Sequence, residues 1–344
     1  MNATPELQTP EPALQAWLET TLDGDGPYGL EPLQVGGTSN EMWVVHDAGQ
    51  GRWALRMPPE IKNAPTAHDV TREFRLLAAL EGTAVPHPGP VALCADPEVL
   101  GRPFYVMAHV DGVALRDPLP DWANDAEVRA GIGRELVDGV AALSEVDWRA
   151  RGLDGFGRPD GFLERQVPRW MGQLAKYRTR DLPGVEDLAD WLASRRVPEQ
   201  SPALLHGDYS LFNVLFRPGA PARLVAIVDW ETATVGDPLV DLGWLVAQWS
   251  EPGQEPVIAG GVTQLTGMGP RKALVERYAA RTGREVGEIA FYAALATFKL
   301  ACIVEGAWFR YASGRSGNPR HARFERLVPD LVRHGLEITR GTWI

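Results

Sequence analysis

Near residue 110 the apolar pattern of this chain changes from strand-like to helical. Before that point, short apolar runs stand between Gly- and Asp-rich turns. One strand is expected within Leu33 to Val45, with Gly36-Gly37-Thr38-Ser39-Asn40 at its centre. A second, Trp53-Ala54-Leu55, follows the turn Asp47-Ala48-Gly49-Gln50-Gly51, so the two read as a β-hairpin. Pro58-Pro59 ends it, because proline brings no ladder donor. Val70, Phe74, Leu77 and Leu80 fall at helical spacing and predict a helix from Asp69 to Leu80. Pro86, Pro88 and Pro90 interrupt the chain before a strand at Phe104-Tyr105-Val106-Met107.

After Asp111-Gly112 the pattern predicts long helices over Glu127 to Val146, Phe162 to Lys176, Val185 to Ala193, Lys272 to Arg281, Glu288 to Tyr311 and His321 to Thr339. Short strands are expected at Ala203-Leu204-Leu205 and Leu224 to Val228, and Gly260-Gly261 with Thr263 to Gly269 reads as a mobile loop. The expectation is an α+β chain: an N-terminal segment over 1–25, flexible in its first part, a small antiparallel β-sheet lobe over 26–107, and a larger, mainly helical lobe over 108–344. A length of 344 residues suits two lobes.

Composition narrows the function classes. Lys and Arg number 34 against 45 Asp and Glu, and a net charge of −11 argues against broad binding to nucleic acid. Two cysteines, Cys94 and Cys302, cannot build a disulfide framework or a thiolate metal cage. Lys299 and Glu305 interrupt the best candidate for a membrane span, and no basic-then-apolar leader opens the chain. A soluble cytoplasmic protein is expected; nothing in the pattern specifies an oligomeric state.

The chemistry concentrates in Leu204-Leu205-His206-Gly207-Asp208-Tyr209-Ser210-Leu211-Phe212-Asn213. A second apolar strand delivers Val228-Asp229-Trp230-Glu231, and Gly236-Asp237-Pro238-Leu239-Val240-Asp241 follows. Phosphoryl transfer needs a carboxylate to orient the attacking hydroxyl and oxygen ligands to hold Mg²⁺ against the phosphates. An Asp with an Asn five residues later supplies a base beside a metal ligand, and an Asp at the tip of a neighbouring strand completes the set. Asp208, Asn213 and Asp229 fit those roles. Asp and Asn are common turn formers singly; the ordered set is what points to a site.

These motifs resemble those of the aminoglycoside phosphotransferase and choline kinase superfamily, over about Leu33 to Arg310. The resemblance implies the bilobal protein-kinase-like fold, with ATP and Mg²⁺ as cofactors and a small-molecule hydroxyl as acceptor. It makes Val35-Gly36-Gly37-Thr38-Ser39-Asn40 the phosphate-covering hairpin, in which Gly36 and Gly37 admit the phosphates and Ser39 donates to them. Arg56 stands where that family usually has a phosphate-pairing lysine, and Glu73 where the helix glutamate orients the cation. Arginine keeps the charge but exchanges a compact ammonium for a planar fork. The backbone from Ala108 to Val110 is the expected adenine edge. His206 is expected to brace the catalytic loop, and Asp237 and Asp241 to cap a helix and anchor loops. Glu231 stays open between a substrate contact and a supporting role.

A narrower likeness is carried by Leu55-Arg56-Met57-Pro58-Pro59, Ala67-His68-Asp69-Val70-Thr71-Arg72-Glu73-Phe74 and Gly157-Arg158-Pro159-Asp160-Gly161-Phe162 through Trp170. These resemble the kinase-like domain fused to acyl-CoA dehydrogenases, where an arginine at the strand position is familiar. That implies a hydroxyacyl group on coenzyme A as one acceptor; the chain is too short to hold the dehydrogenase as well. An aminoglycoside kinase and a nucleotide-binding pseudokinase are the alternatives. Lys299 is open between a surface lysine and a pocket residue, and Arg165, Arg169 and Lys176 between a solvated face and a contact to an anionic acyl carrier.

Overall fold

The computed structural model describes residues 7–33, 40–59, 69–258, 261–341 and 343. The chain divides into two compact units. The first comprises Met1–Gly112 with Ala150–Leu153 and Val225–Glu231; the second comprises Val113–Arg149, Asp154–Leu224 and Thr232–Ile344. The first unit thus extends past the expected boundary at 107 and takes in the strand end that carries Asp229.

In the first unit, strands β1 (Gly29–Pro32), β2 (Glu41–His46), β3 (Arg52–Met57), β4 (Pro90–Cys94) and β5 (Phe104–Ala108) form an antiparallel sheet in the order β1-β2-β3-β5-β4. Its helices are α1 (Pro12–Thr21), α2 (Val70–Leu80) and the short α3 (Pro97–Leu100). The proline-rich opening did not predict α1, yet Pro12 occupies a first-turn position, where a missing N–H costs nothing. Leu14 and Leu18 of α1 pack with Leu55, Met57, Phe104 and Val106 into a core on one sheet face. Each such buried leucine contributes about 2 kcal/mol. Successive β3 side chains point to opposite faces, so Arg56 faces away from that core. Helix α2, which packs against β4 and β5, begins where expected, and the Asp69 carboxylate caps it by accepting from the N–H groups of Thr71 and Arg72.

The second unit holds α4 (Ala126–Ser144), α5 (Gln166–Leu174), α6 (Val185–Ser194), α7 (Leu239–Ala247), α8 (Arg271–Thr282), α9 (Ile289–Ala312) and α10 (Phe324–Thr339). Strands β6 (Ala203–Leu205) and β9 (Thr234–Gly236) pair antiparallel within it; β7 (Val214–Phe216) and β8 (Leu224–Ile227) complete the chain. Helix α9 is the centre, packed by α5, α6, α7 and α10. Its crossing with α7 is close enough that a Cβ on Gly243 would lie 2.5 Å from the Tyr292 Cβ.

Two expectations need correction. Helix α9 is long and apolar enough to cross a membrane by length and composition, despite Lys299 and Glu305, but 78% of its most apolar window is buried inside the protein. Glu305 sits there fully buried and is bonded by Arg180 at 2.6 Å. It is the core helix of this unit. The stretch Thr263 to Gly269 is packed rather than mobile: Thr263 and Met268 are buried, and the Thr263 hydroxyl accepts the Ser250 N–H at 2.9 Å.

Candidate active site

The first unit assembles a charged cluster on the sheet face opposite its core. Arg56 on β3 and Glu73 on α2 are buried, with Arg56 Nε 2.8 Å from Glu73 Oε2. The Arg56 Nη2 also donates to Asp229 Oδ1 at 2.7 Å. Tyr105, next to β3 in the sheet, donates its hydroxyl to Glu73 Oε2 at 3.2 Å. With its amide oxygen turned toward the guanidinium, Asn40 accepts from Arg56 Nη2 at 2.6 Å. A planar fork can serve several acceptors at once, which a single ammonium does less well.

Electrostatics follow from this packing. Burial would weaken the Arg56 charge, but Glu73, Tyr105 and Asp229 outweigh it and hold the group charged. Burial pushes the Glu73 carboxyl up to about 6, against the pull of Arg56, while the nearby charges of Asp229 and Glu231 push the same way. Asp229 adopts a left-handed backbone (φ 66°), a conformation that Asp tolerates better than most residues. Arg56, Glu73 and Asp229 are therefore brought together, with Glu231 in electrostatic range.

The second unit builds the loop after β6. The Asp241 carboxylate on α7 is buried and accepts two backbone donors, His206 N–H at 2.6 Å and Gly207 N–H at 2.8 Å. Thr232 donates its hydroxyl to His206 O at 2.9 Å. Gly207 has φ +82°, and a Cβ there would lie 2.6 Å from Thr232 O, so the position excludes other residues. The Asp208 N–H donates to His206 Nδ1 at 3.2 Å, which makes Nδ1 an acceptor. Asn213 then folds back, its Nδ2 donating to Asp208 O and Asp208 Oδ2, both at 2.9 Å. That bond orients the carboxylate and turns the Asn213 amide oxygen away from it.

Asp237 accepts from the N–H groups of Gln200 and Leu239 and from the Tyr292 hydroxyl, tying the start of α7 to α9. Burial raises the carboxyls of both Asp237 and Asp241, and their hydrogen bonds oppose it.

One residue belongs to the site more closely than its sequence suggests. Lys299 Nζ donates to Gly207 O at 2.5 Å and lies 4.3 Å from the Trp244 ring centroid and 5.9 Å from that of Trp170. Burial lowers its pKa, while the charges of Asp208 and Asp241 raise it and Arg169 lowers it further. The interrupted apolar pattern of α9 was the signal. Tyr105 and Thr232 had none, since each acts through a contact distant in sequence; Asn40 was read within the phosphate-covering hairpin, not as a partner of Arg56.

Gly36, Gly37 and Ser39 lie outside the described residues. Ala108 N–H is committed to Gly89 O at 2.8 Å and Ala108 pairs with Trp53 in the sheet; Val110 is half-buried just beyond β5. Among the described residues no three His, Cys, Asp or Glu side chains form a metal-holding group. Asp229 offers a carboxylate and Asn213 an amide oxygen. Both are oxygen donors of the kind a hard cation takes.

Residues 30–279 match the family model described as the phosphotransferase enzyme family. The chain is 33% identical over 96% of its length to acyl-CoA dehydrogenase family member 11 of Rattus norvegicus, covering 43% of that protein. The human protein of that name is 30% identical over 98% of the chain, with 44% covered. The chain thus spans under half the length of these curated relatives. A crystal structure of a Ralstonia eutropha JMP134 protein classed with the aminoglycoside phosphotransferases superposes with TM-score 0.82 at 31% identity, covering 97% of this chain and 99% of that one. Choline kinase from Cryptosporidium parvum shares the fold at TM-score 0.63 and 12% identity, with 94% of each chain covered.

Proposed function

This chain belongs to the phosphotransferase enzyme family and is a small-molecule kinase with the kinase-like fold, and from that premise we propose that it uses ATP and Mg²⁺ to phosphorylate a hydroxyl of an acyl group carried on coenzyme A. The observation that carries the reading is the Arg56 guanidinium, bonded at once to Glu73 and Asp229. A cation held in that way is fixed in direction and in charge, as pairing with nucleotide phosphates requires.

In this reading Asp208 orients the acceptor hydroxyl and takes its proton, with its carboxylate set by Asn213. Asp229 and Asn213 are the oxygen donors that would hold the cation, whose charge would screen the phosphates. Arg56 pairs with the phosphates, and Lys299 steadies the Gly207 carbonyl behind Asp208. Such a site works by positioning and charge rather than through a covalent intermediate. The acyl-CoA acceptor rests on the relatives named as acyl-CoA dehydrogenase family members and on Lys299, a cation in electrostatic range of both Asp208 and Arg169, which suits an anionic acceptor better than a polycationic aminoglycoside.

The test is ADP release with hydroxyacyl-coenzyme A esters, aminoglycosides and choline as acceptors, wild type beside Asp208→Ala. Turnover with the coenzyme A esters, lost in the variant while nucleotide still binds, is expected. Full activity in the variant would overturn the role of Asp208. Turnover with only an aminoglycoside or choline would overturn the acceptor, and nucleotide binding without any turnover would favour a regulatory pseudokinase.

A further inference from the structure

The end of α9 carries a concentration of positive charge that the catalytic reading leaves unused. Arg310, Arg315, Arg320 and Arg323 are all exposed and fall within fourteen residues of a chain whose net charge is −11. Among the described residues none of the four has a carboxylate within ion-pair distance, whereas the nearby buried Glu305 is taken by Arg180. They lie close together. Arg315 N–H donates to Arg310 O at 2.7 Å, and Ser316 Oγ lies 3.2 Å from His321 Nδ1. His321 is pushed below its ordinary value by burial and then by the charges of Arg310 and Arg323. Aromatic rings are interleaved with the cations: Arg315 stands 5.3 Å over Phe309, Arg323 lies 5.6 Å from Phe324, and His321 stacks on Phe324.

The cluster is connected to the catalytic loop by one face of α9. Lys299, Ile303 and Arg310 are spaced by four and seven residues, which places them on a single stripe of an α-helix. Lys299 bonds Gly207 O at the head of that stripe, Ile303 is exposed at 42% in its middle, and Arg310 ends it. Eleven residues at about 1.5 Å each separate the two cations by about 17 Å along the axis. One side of α9 therefore leads from the half-buried Lys299, past the exposed Ile303 and the half-buried Ala307, to the exposed Arg310. Gly306 on that side is buried against Tyr177, and Arg315, Arg320 and Arg323 follow Arg310 beyond the end of the helix.

We propose that the arginine cluster at the end of α9 is the binding subsite for the phosphorylated end of an elongated acceptor whose hydroxyl end reaches Asp208. This rests on the function proposed above and deepens it. Phosphate groups meet the guanidinium forks, which are weakly hydrated and match phosphate geometry. A heterocycle joined to them stacks on the Phe309 and Phe324 side, and the connecting arm crosses Ile303.

The test uses coenzyme A itself, titrated into the full chain by calorimetry, and the KM and kcat for a hydroxyacyl-coenzyme A ester. The double variant Arg310→Ala/Arg323→Ala is expected to weaken coenzyme A binding at least about tenfold and to raise KM equally, with kcat unchanged. Arg310→Lys/Arg323→Lys, which keeps the charges, is expected to restore most of the affinity. Dephospho-coenzyme A should bind more weakly than coenzyme A to the wild type, and that difference should shrink in the double variant. Unchanged coenzyme A affinity in the double alanine variant overturns the subsite, as does a wild type that binds no coenzyme A. If the arginine-dependent binding is found but no hydroxyacyl ester is phosphorylated, the subsite stands and the proposed acceptor falls.

Discussion

Asp241 holds His206 by its backbone: Oδ2 accepts the His206 N–H at 2.6 Å, and Oδ1 accepts the neighbouring Gly207 N–H at 2.8 Å. A side chain from α7 thus takes the place of strand pairing just where β6 ends. The carboxylate is buried, so both donors would otherwise be orphaned away from water.

Replacing that acceptor should unseat the loop. Asp241→Ala leaves two buried N–H groups without partners and is expected to cost about 3–5 kcal/mol. Asp241→Asn keeps the shape and one acceptor, so about 2 kcal/mol is expected. Urea unfolding measures both, and ADP release should drop in Asn more than its stability loss explains, because Asp208 rides on this loop. An Asn variant of unchanged stability and activity would refute the anchoring role.

Arg56 is bonded to Glu73 through Nε and to Asp229 through Nη2. A lysine has one nitrogen to offer in place of this fork. Arg56→Lys is therefore expected to fold, with a loss of about 1–2 kcal/mol, and to raise the KM for nucleotide more than it lowers kcat. Arg56→Met strands a buried carboxylate and should cost about 3–5 kcal/mol. Equal kinetics in the lysine variant would show that the fork geometry is dispensable.

The pH profile should report Glu73. Its carboxyl is raised from 4.5 to about 6 by burial first. For stability, a raised value means this group's contribution is complete below 4.5 and is lost as the pH rises through about 6. Activity runs the other way, because protonated Glu73 no longer fixes Arg56. A fall in kcat/KM below about pH 6 is expected, and Glu73→Gln should lower the plateau and remove that limb. Persistence of the same limb in the Gln variant would assign it to another group.

Much of this site was legible because its residues are neighbours in sequence. His206, Gly207, Asp208 and Asn213 lie within eight positions, and their order states the loop before any fold is known. The helix α2 was equally legible, since Val70, Leu77 and Leu80 repeat at its period and Asp69 offers a cap. Helix α1 was not, because prolines that break a helix interior also suit its first turn. Nor was the packed stretch from Thr263 to Gly269, whose glycines imply freedom while Met268 is buried against other elements.

By itself, then, the sequence determined the change from sheet to helix, the loop from His206 to Asn213 and the family, each encoded in local spacing. Only the tertiary structure decided that Tyr105 and Asn40 serve the Arg56 cluster, and that Lys299 closes on Gly207 rather than reaching solvent. Those relations join residues up to 92 positions apart. A hydrogen bond acts over about 3 Å of space whatever the separation along the chain, so no local pattern records it.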